Sequence, residues 1–432
     1  MSDNVYVVGV GMIKFGKNVE QSIKDMTGNS LENVLKDCNL TRKDIEAAWF
    51  SNTGWGMSDF QHCIRGQVAL SANGIDKIPI NNVENACASG SNAFHGAWTA
   101  IKAGIYDCAL AIGTEKMYYP SKPRKSGKKG KSGGSGGAGG SMAGFLAGTD
   151  VEKTRKLIAS LKKQIQDANE KAAKEKGDTS GAPKKQHSVF MDFYAMGAKE
   201  HMKKYGTTQR HLAIIASKNH NNSTMNPNAQ YTFPQTVEQV MEDYVVAFPL
   251  TRAMCAPIGD GSAAAIVCSE KYLDDHPELR SRAALVRASI LKSGSWKKDN
   301  VCKRAATSAY EMSGLGPEDI NVVEVHDATA FGELSIIENL GLCSIGEAGS
   351  FVESGATQLD GKVPVNPSGG LLARGHPIGA SGLAQMHELV TQLRGEAGKR
   401  QVKDPKLALA ENGGGFLGSG EAAMCVHIFE KV

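Results

Sequence analysis

Two stretches far apart in this chain share one pattern. LTRKDIEAAWFSNTG at 40–54 and LGPEDINVVEVHDAT at 315–329 each place a Leu, then Asp-Ile four residues on, then an apolar run ending in small polar residues. Both read as a helix, loop, strand unit, and a repeated unit of that kind predicts two related halves with an irregular region between them. Apolar runs suited to buried strands recur elsewhere: VYVVGVG near the start, CALAIG at 108–113, AAAIVCS at 263–269, INVVEV at 320–325 and LALA at 407–410. Between them lie helical periodicities, such as Phe94, Ala97, Trp98 and Ile101, or Leu383, Met386, Val390 and Leu393. Strands alternating with helices predict an α/β architecture with largely parallel sheets.

At 432 residues the chain exceeds one ordinary core and suggests two or three domains. Its 41% hydrophobic and 22% charged residues describe a soluble globular protein. A formal charge of +4 is small for this length and by itself argues neither for nor against nucleic acid; no nucleic-acid and no membrane partner is expected. No run of 18 apolar residues predicts a membrane-spanning helix. The N-terminus enters a strand-like segment without a secretory signal pattern, and the C-terminal IFEKV is not a peroxisomal tripeptide. A cytoplasmic location and a bacterial source are the expectation. Nine cysteines without CxxC pairs point to reduced thiols, most of them small buried hydrophobes.

Two segments imitate nucleotide-binding loops and fail on spacing. GKKGKS at 127–132 has only two residues between its first Gly and the Gly-Lys, where a phosphate loop needs four. GVGMIKFG at 9–16 has Lys14 where a dinucleotide fingerprint needs its third Gly, and reads as a strand end. The Gly-, Ser- and Lys-rich segment 121–141 should be flexible, and 151–176 follows as a charged amphipathic helix. Its lysines are either solvated or placed to meet ligand phosphates.

One cysteine stands apart. In VENACASGSNAFHGAW at 83–98, Cys87 sits among small residues just where a helix over 89–103 begins, with Ser89 and Ser91 available as caps. Free N–H groups at that end favour a thiolate and a developing oxyanion. The small neighbours Ala86, Ala88 and Gly90 leave room for a substrate, and a strand–turn–helix elbow presents a nucleophile. A buried structural cysteine fits the same local sequence. A nucleophile needs a base and an oxyanion stabiliser. His376, in the Gly-rich turn of GGLLARGHPIGASG at 369–382, and His326, at the strand end in VHDATAFGE, are the candidates.

NACASGS, GDGSAAA at 259–265 and GHPIGASG together resemble the thiolase superfamily, and the stretch from Asn85 to Met117 with the HDxx loop at 326–329 is most similar to the sterol-carrier-protein-type thiolases. The similarity spans nearly the whole chain except roughly 121–185. It implies a five-layered αβαβα fold of two similar halves with an inserted loop domain: 1–120 and 246–275 for the first half, 121–245 for the loop domain, 276–432 for the second. It implies a homodimer or dimer of dimers acting on CoA thioesters, with no permanently bound cofactor and no metal. Carried over, Cys87 is the acylated nucleophile and His376 its activating base, while His326 helps hold the thioester oxygen of the enolate-forming substrate. The backbone N–H of Cys87 and of a glycine in 413–415, with Gly414, Gly415, Asn412 and Ala328 as the residues around it, is implied to form the oxyanion and substrate site.

The pattern breaks at one function. Thiolases need a second acid/base, often a cysteine, in an HDCF loop or a CxG motif; this chain has His326-Asp327-Ala328-Thr329 and Glu411-Asn412-Gly413. Three explanations stand: Glu411 with a raised pKa replaces the thiol, the protein performs acyl transfer only, or it runs a retro-aldol reaction. An acyl-CoA-binding subunit of a larger acyltransferase complex is a further alternative. Several bacterial relatives without the second cysteine work with a small OB-fold, zinc-ribbon companion, so the resemblance implies such a partner here, and a bulky, branched or aromatic acyl-CoA suits that group, benzoylsuccinyl-CoA-type thiolysis included.

Overall fold

The computed structural model describes residues 4–119, 147–156, 189–297, 299–418 and 420–432. The Gly/Ser/Lys-rich segment at 121–141, the GKKGKS loop and residues 157–176 of the expected charged helix lie outside them. Strand β1 (Val5–Met12) leads to α1 (Ile23–Cys38), β2 (Ala47–Ser51), α2 (Trp55–Asp59), α3 (Arg65–Ser71), β3 (Ile80–Val83), α4 (Ser89–Lys102) and β4 (Cys108–Glu115). Helices α5 (Val189–Tyr205), α6 (Gln209–Ser223) and α7 (Val237–Glu242) and the small pair β5 (Val245–Ala247) and β6 (Leu250–Thr251) precede β7 (Gly261–Ser269) and α8 (Glu270–Asp275). The chain then repeats the plan with β8 (Ala284–Ser293), α9 (Val301–Ser313), β9 (Val322–Glu324), α10 (Ala330–Asn339), α11 (Ala348–Glu353), α12 (Gly370–Arg374), α13 (Ser381–Arg394), β10 (Leu407–Gly414) and β11 (Ala423–Lys431).

The sequence echo is a structural repeat. In each copy a helix closes on a left-handed residue, Asn39 at φ 54° or Gly314 at φ 70°. A 3-10 turn follows whose carboxylate reaches back three residues: Asp44 accepts the Thr41 N–H and Asp319 the Gly316 N–H, both at 2.7 Å. The strands that emerge, β2 and β9, end beside the candidate site.

Among the described residues nine strands form one sheet in the order β3-β2-β4-β7-β1-β8-β11-β10-β9. Read inward from either edge the two halves mirror each other, and they meet where Tyr6 and Val7 of β1 pair Leu285 and Ala284 of β8. A parallel bridge between Val323 and Val365 stands outside β9 where the first half has β3. The expected parallel bias is corrected. Among the named strands of the described residues only β2–β3, β2–β4 and β9–β10 pair in parallel, because β7 and β11 each return antiparallel between the neighbours that flank them.

Period-two alternation sorts the side chains into layers. Ala109 and Ala111 of β4 face a core with Phe94 and Ala97 of α4 and Leu383 of α13. Cys108, Leu110 and Ile112 face the other way, onto Met26, Leu31 and Leu35 of α1. In the second half Ala408 and Ala410 of β10 join the central core, while Leu409 packs outward with Ala305 and Ala309 of α9. Outer helix, the strands of the first half, central α4 and α13, the strands of the second half and outer helix make the five expected layers. Gly9 and Gly11, part of the imitation dinucleotide loop, sit in β1 against α1: a Cβ on Gly11 would lie 2.4 Å from the Val34 nitrogen. Among the described residues no helix is long and apolar enough to cross a membrane.

Candidate active site

The elbow between β3 and α4 is held in a conformation that side chains resist. Ala86 has φ 48°, a left-handed value that is costly for any residue with a Cβ. Ser89 pins it from both sides: its Oγ accepts the Asn85 N–H at 2.8 Å and donates to the Ala86 carbonyl at 2.6 Å. The expectation that Ser89 and Ser91 cap the helix is thereby corrected. Ala88 occupies the cap without a side-chain bond, Ser89 ties the turn, and the Ser91 hydroxyl is buried without a partner among the described residues.

The small residues serve close backbone approach as well as access. A Cβ on Gly90 would meet Gly379 O and Leu383 N at 3.1 Å, and one on Gly382 would lie 2.3 Å from Ser91 Oγ. The two central helices therefore cross at the point where the Cys87 elbow meets the His376 turn. A Cβ on Gly414 would fall 2.2 Å from Asn85 O, so the end of β10 also closes on the elbow.

This crossing sets Cys87 Sγ 3.3 Å from His376 Nε2. The other ring nitrogen, Nδ1, is 2.7 Å from Ser381 Oγ, and that hydroxyl gives its own proton to Pro377 O at 2.9 Å. Ser381 can then only accept from the ring, so His376 carries its proton on Nδ1 and turns a lone pair toward the thiol. Burial pushes the Cys87 thiol up to about 12, with the charges of Glu115 and Glu84 adding and the backbone N–H groups of Gly415 and Cys87 opposing. Burial, then His326 and Arg374, hold His376 well below the usual imidazole range. The resting pair is a neutral thiol beside a neutral base, both half-buried and reachable from solvent.

His326 is held in the opposite sense. Asn412 donates through Nδ2 to His326 Nδ1 at 3.0 Å, which leaves the ring proton on Nε2. Burial, then Arg374, lowers His326 to about 4, so a neutral ring presents an N–H. Its plane stands at 76° to that of His376, centroids 5.1 Å apart. The neighbouring position on β10 holds the same residue from its backbone: Glu411 Oε2 accepts the His326 N–H at 2.9 Å. Burial raises Glu411 to about 8, against that N–H, and Glu421 raises it further; its Oε1 is buried with no partner among the described residues. Ala328 is half-buried, and its carbonyl accepts the Ala256 N–H at 3.0 Å.

The structure thus brings Cys87, His376, His326, Asn412, Glu411 and the Gly415 amide together. Gly414 stands against the elbow backbone, and Asn412 buttresses His326. Several residues here escaped the sequence reading. Asp327 accepts Leu371 N at 2.6 Å and Asn219 Nδ2 at 2.8 Å, and Asn219 also reaches Glu333, the partner of buried Lys218 at 2.6 Å. This network ties the His326 strand end to α6, α10 and α12. Tyr194 of α5 lies over Gly332, its phenol raised first by burial and then by Glu421, Cys87, Glu411 and Asp327. Nothing in the local sequence flags Tyr194. Ser381 lies within the GHPIGASG motif itself and was legible there.

Comparison with known proteins agrees with this geometry along the whole chain. Residues 5–271 match the family described as "Thiolase, N-terminal domain", and 284–429 match "Thiolase C-terminal domain-like". The chain belongs to the thiolase family. It is 36% identical to the acetyl-CoA acetyltransferase of Methanothermobacter thermautotrophicus, over 99% of this chain and 100% of that one. It is 35% identical to sterol carrier protein 2 of Bos taurus over 95% of this chain and 70% of the relative, and 32% identical to the benzoylsuccinyl-CoA thiolase subunit BbsB of Thauera aromatica over 95% and 94%. The solved Ltp2-ChsH2(DUF35) aldolase shares the fold, at a TM-score of 0.72 and 19% identity over 98% of this chain and 97% of that one. This thiolase is an acyl-CoA C-acyltransferase.

Proposed function

We propose that this thiolase cleaves a 3-oxoacyl-CoA with CoA, or runs the reverse Claisen condensation, through an acyl-cysteine at Cys87. The carrying observation is the 3.3 Å contact from Cys87 Sγ to a His376 Nε2 whose lone pair Ser381 directs at the sulfur. His376 takes the thiol proton as sulfur attacks the 3-oxo carbon, and the N–H groups of Cys87 and Gly415 receive the oxyanion. Breaking the carbon–carbon bond releases a thioester enolate, whose oxygen meets the His326 Nε2–H. Glu411, protonated near neutrality, returns a proton to the α-carbon in place of the missing thiol. CoA then gives its thiol proton to the Glu411 carboxylate and attacks the acyl group, and His376 returns its proton to the Cys87 sulfur as that sulfur leaves.

A bulky, branched or aromatic acyl group is the proposed substrate class, which the likeness to a benzoylsuccinyl-CoA thiolase subunit supports. That relative is named as a subunit, and the aldolase structure names a second component, ChsH2(DUF35). Both support a companion subunit; the proposal makes it a small OB-fold, zinc-ribbon protein beside a homodimer of this chain in the cytoplasm. A retro-aldol reaction is the second reading, favoured by Ala328 and Glu411 standing where the thiols are missing. Mass spectrometry after incubation with acyl-CoA decides between them. An acyl adduct on Cys87 is expected; ligand bound without an adduct, or an aldehyde or ketone released without free CoA, overturns the reading.

A further inference from the structure

The residues proposed for acyl transfer have the make-up of a different kind of site. The sulfur of Cys87 and one ring nitrogen each from His326 and His376 all lie within 4.8 Å of one another. One thiol and two imidazoles are a common zinc donor set, and tetrahedral zinc holds such atoms roughly 3.3–3.7 Å apart. The Cys87–His376 pair is already at 3.3 Å. The rest needs about an ångström of closure or less from side chains at the end of a turn and a strand.

We infer that the substrate-free pocket captures one thiophilic divalent cation of the Zn²⁺ class on Cys87, His376 and His326, and that this cation competes with acyl-CoA. His376 offers its lone pair as it stands, because Ser381 holds the ring proton on the far nitrogen. The Cys87 S–H bond breaks as the sulfur–metal bond forms, and its proton leaves to solvent, one per ion bound. No electrons are transferred. His326 binds through Nε2, the nitrogen that Asn412 leaves free, so its proton moves to Nδ1. The Asn412 amide turns to accept it through Oδ1, an oxygen that is buried and has no partner among the described residues. The fourth position faces the solvent-reachable side of the half-buried thiol and takes water. A sulfur held in this way cannot attack an acyl group until the metal leaves.

The test uses the full chain and needs no turnover, so it stands apart from the outcome of the acylation experiment. Purified, metal-stripped protein is titrated with Zn²⁺ in weak buffer, and with Co²⁺ as a spectroscopic probe. One ion and one released proton per chain are expected, with a sulfur-to-cobalt charge-transfer band in the near ultraviolet. Zn²⁺ should protect Cys87 from iodoacetamide until EDTA is added. Cys87→Ser abolishes the band, Asn412→Ala weakens binding about 10- to 100-fold, as loss of an outer partner does, and Cys63→Ser at the exposed thiol changes nothing. Should a variant fail to fold, alkylating Cys87 in the unaltered protein must remove the band just as well. Zinc that stays on the alkylated chain, or a thiol that Zn²⁺ does not protect, overturns the inference.

Discussion

Glu115, the last residue of β4, accepts the backbone N–H of Gly379 at 3.1 Å and so ties the half bearing Cys87 to the turn bearing His376. The same carboxylate takes the Thr53 N–H at 2.9 Å, the Gly54 N–H at 2.8 Å and Asn52 Nδ2 at 3.0 Å. It is wholly buried, and burial raises it to about 7 against those N–H groups and Arg65. Glu115→Gln replaces one acceptor oxygen with a donor, so two of the four contacts become donor facing donor. Urea unfolding should show a loss of about 1–3 kcal/mol. The rate of Cys87 alkylation should fall with it, because the Cys87–His376 spacing depends on this clamp. An unchanged midpoint and rate would show that the loops hold their places without it.

Ser381 acts on the reaction only through His376. Ser381→Ala removes the acceptor for Nδ1–H while leaving the ring its room. The imidazole then samples the tautomer with its proton toward the sulfur, which cannot serve as a base. The expected result is a fall in kcat of about 10- to 100-fold, part of what general acid–base catalysis supplies, with KM nearly constant. Ser381→Thr, which keeps a hydroxyl, should recover most of it.

Asn412 makes the converse prediction for His326. Asn412→Asp sets a carboxylate against Nδ1, pulls the ring proton to that side and strips the N–H from the face that meets the enolate oxygen. Deuterium exchange at the α-carbon of acyl-CoA should drop sharply while acylation of Cys87, followed by mass spectrometry, persists. Loss of both steps together would place Asn412 in the fold rather than in enolate handling.

These roles were unequally legible in the sequence. The repeat, the strands and the elbow follow from local patterns: Leu and Asp-Ile at fixed spacing, alternating apolar runs, and a cysteine before an amphipathic helix. Cys87, His376 and His326 each sit in a stretch whose small residues mark a tight turn. Glu115 could not be read that way, because its four donors come from two halves and a burial that only the folded chain creates. The same holds for Lys218, Asn219 and Glu333, ordinary helix-surface residues until α6 packs beneath the His326 strand end. The parallel bias failed because strand order across the sheet is a tertiary fact. β7 returns to its place between β4 and β1 only after the long excursion through α5 to α7.

Glu411 gives a pH dependence whose sign can be worked out. Its carboxyl is raised by burial to about 8 and that of Glu115 to about 7, against about 4.3 for a free glutamate. Above about pH 4.3 the folded chain therefore holds protons that the unfolded chain has released, and stability falls as pH rises from there until the two carboxyls ionise at about 7 and 8. His326 and His387, lowered to about 4 by burial, work on the other flank. They favour the fold above the ordinary imidazole value of about 6.5 and disfavour it as pH falls below. The two pairs offset each other between about 4.3 and 6.5, so stability should decline from about pH 6.5 to about 8, owed to the carboxyls, and level off above. Glu411→Gln keeps the shape of the protonated acid and cannot ionise, so at pH 8.5 its urea midpoint should exceed that of the unaltered chain. In the same variant α-proton exchange should be lost across the whole pH range, whereas in the unaltered enzyme it should rise with pH toward about 8, as the carboxylate that takes the α-proton forms. A midpoint that drops at pH 8.5, or exchange that survives with that rising limb intact, would remove Glu411 from both roles.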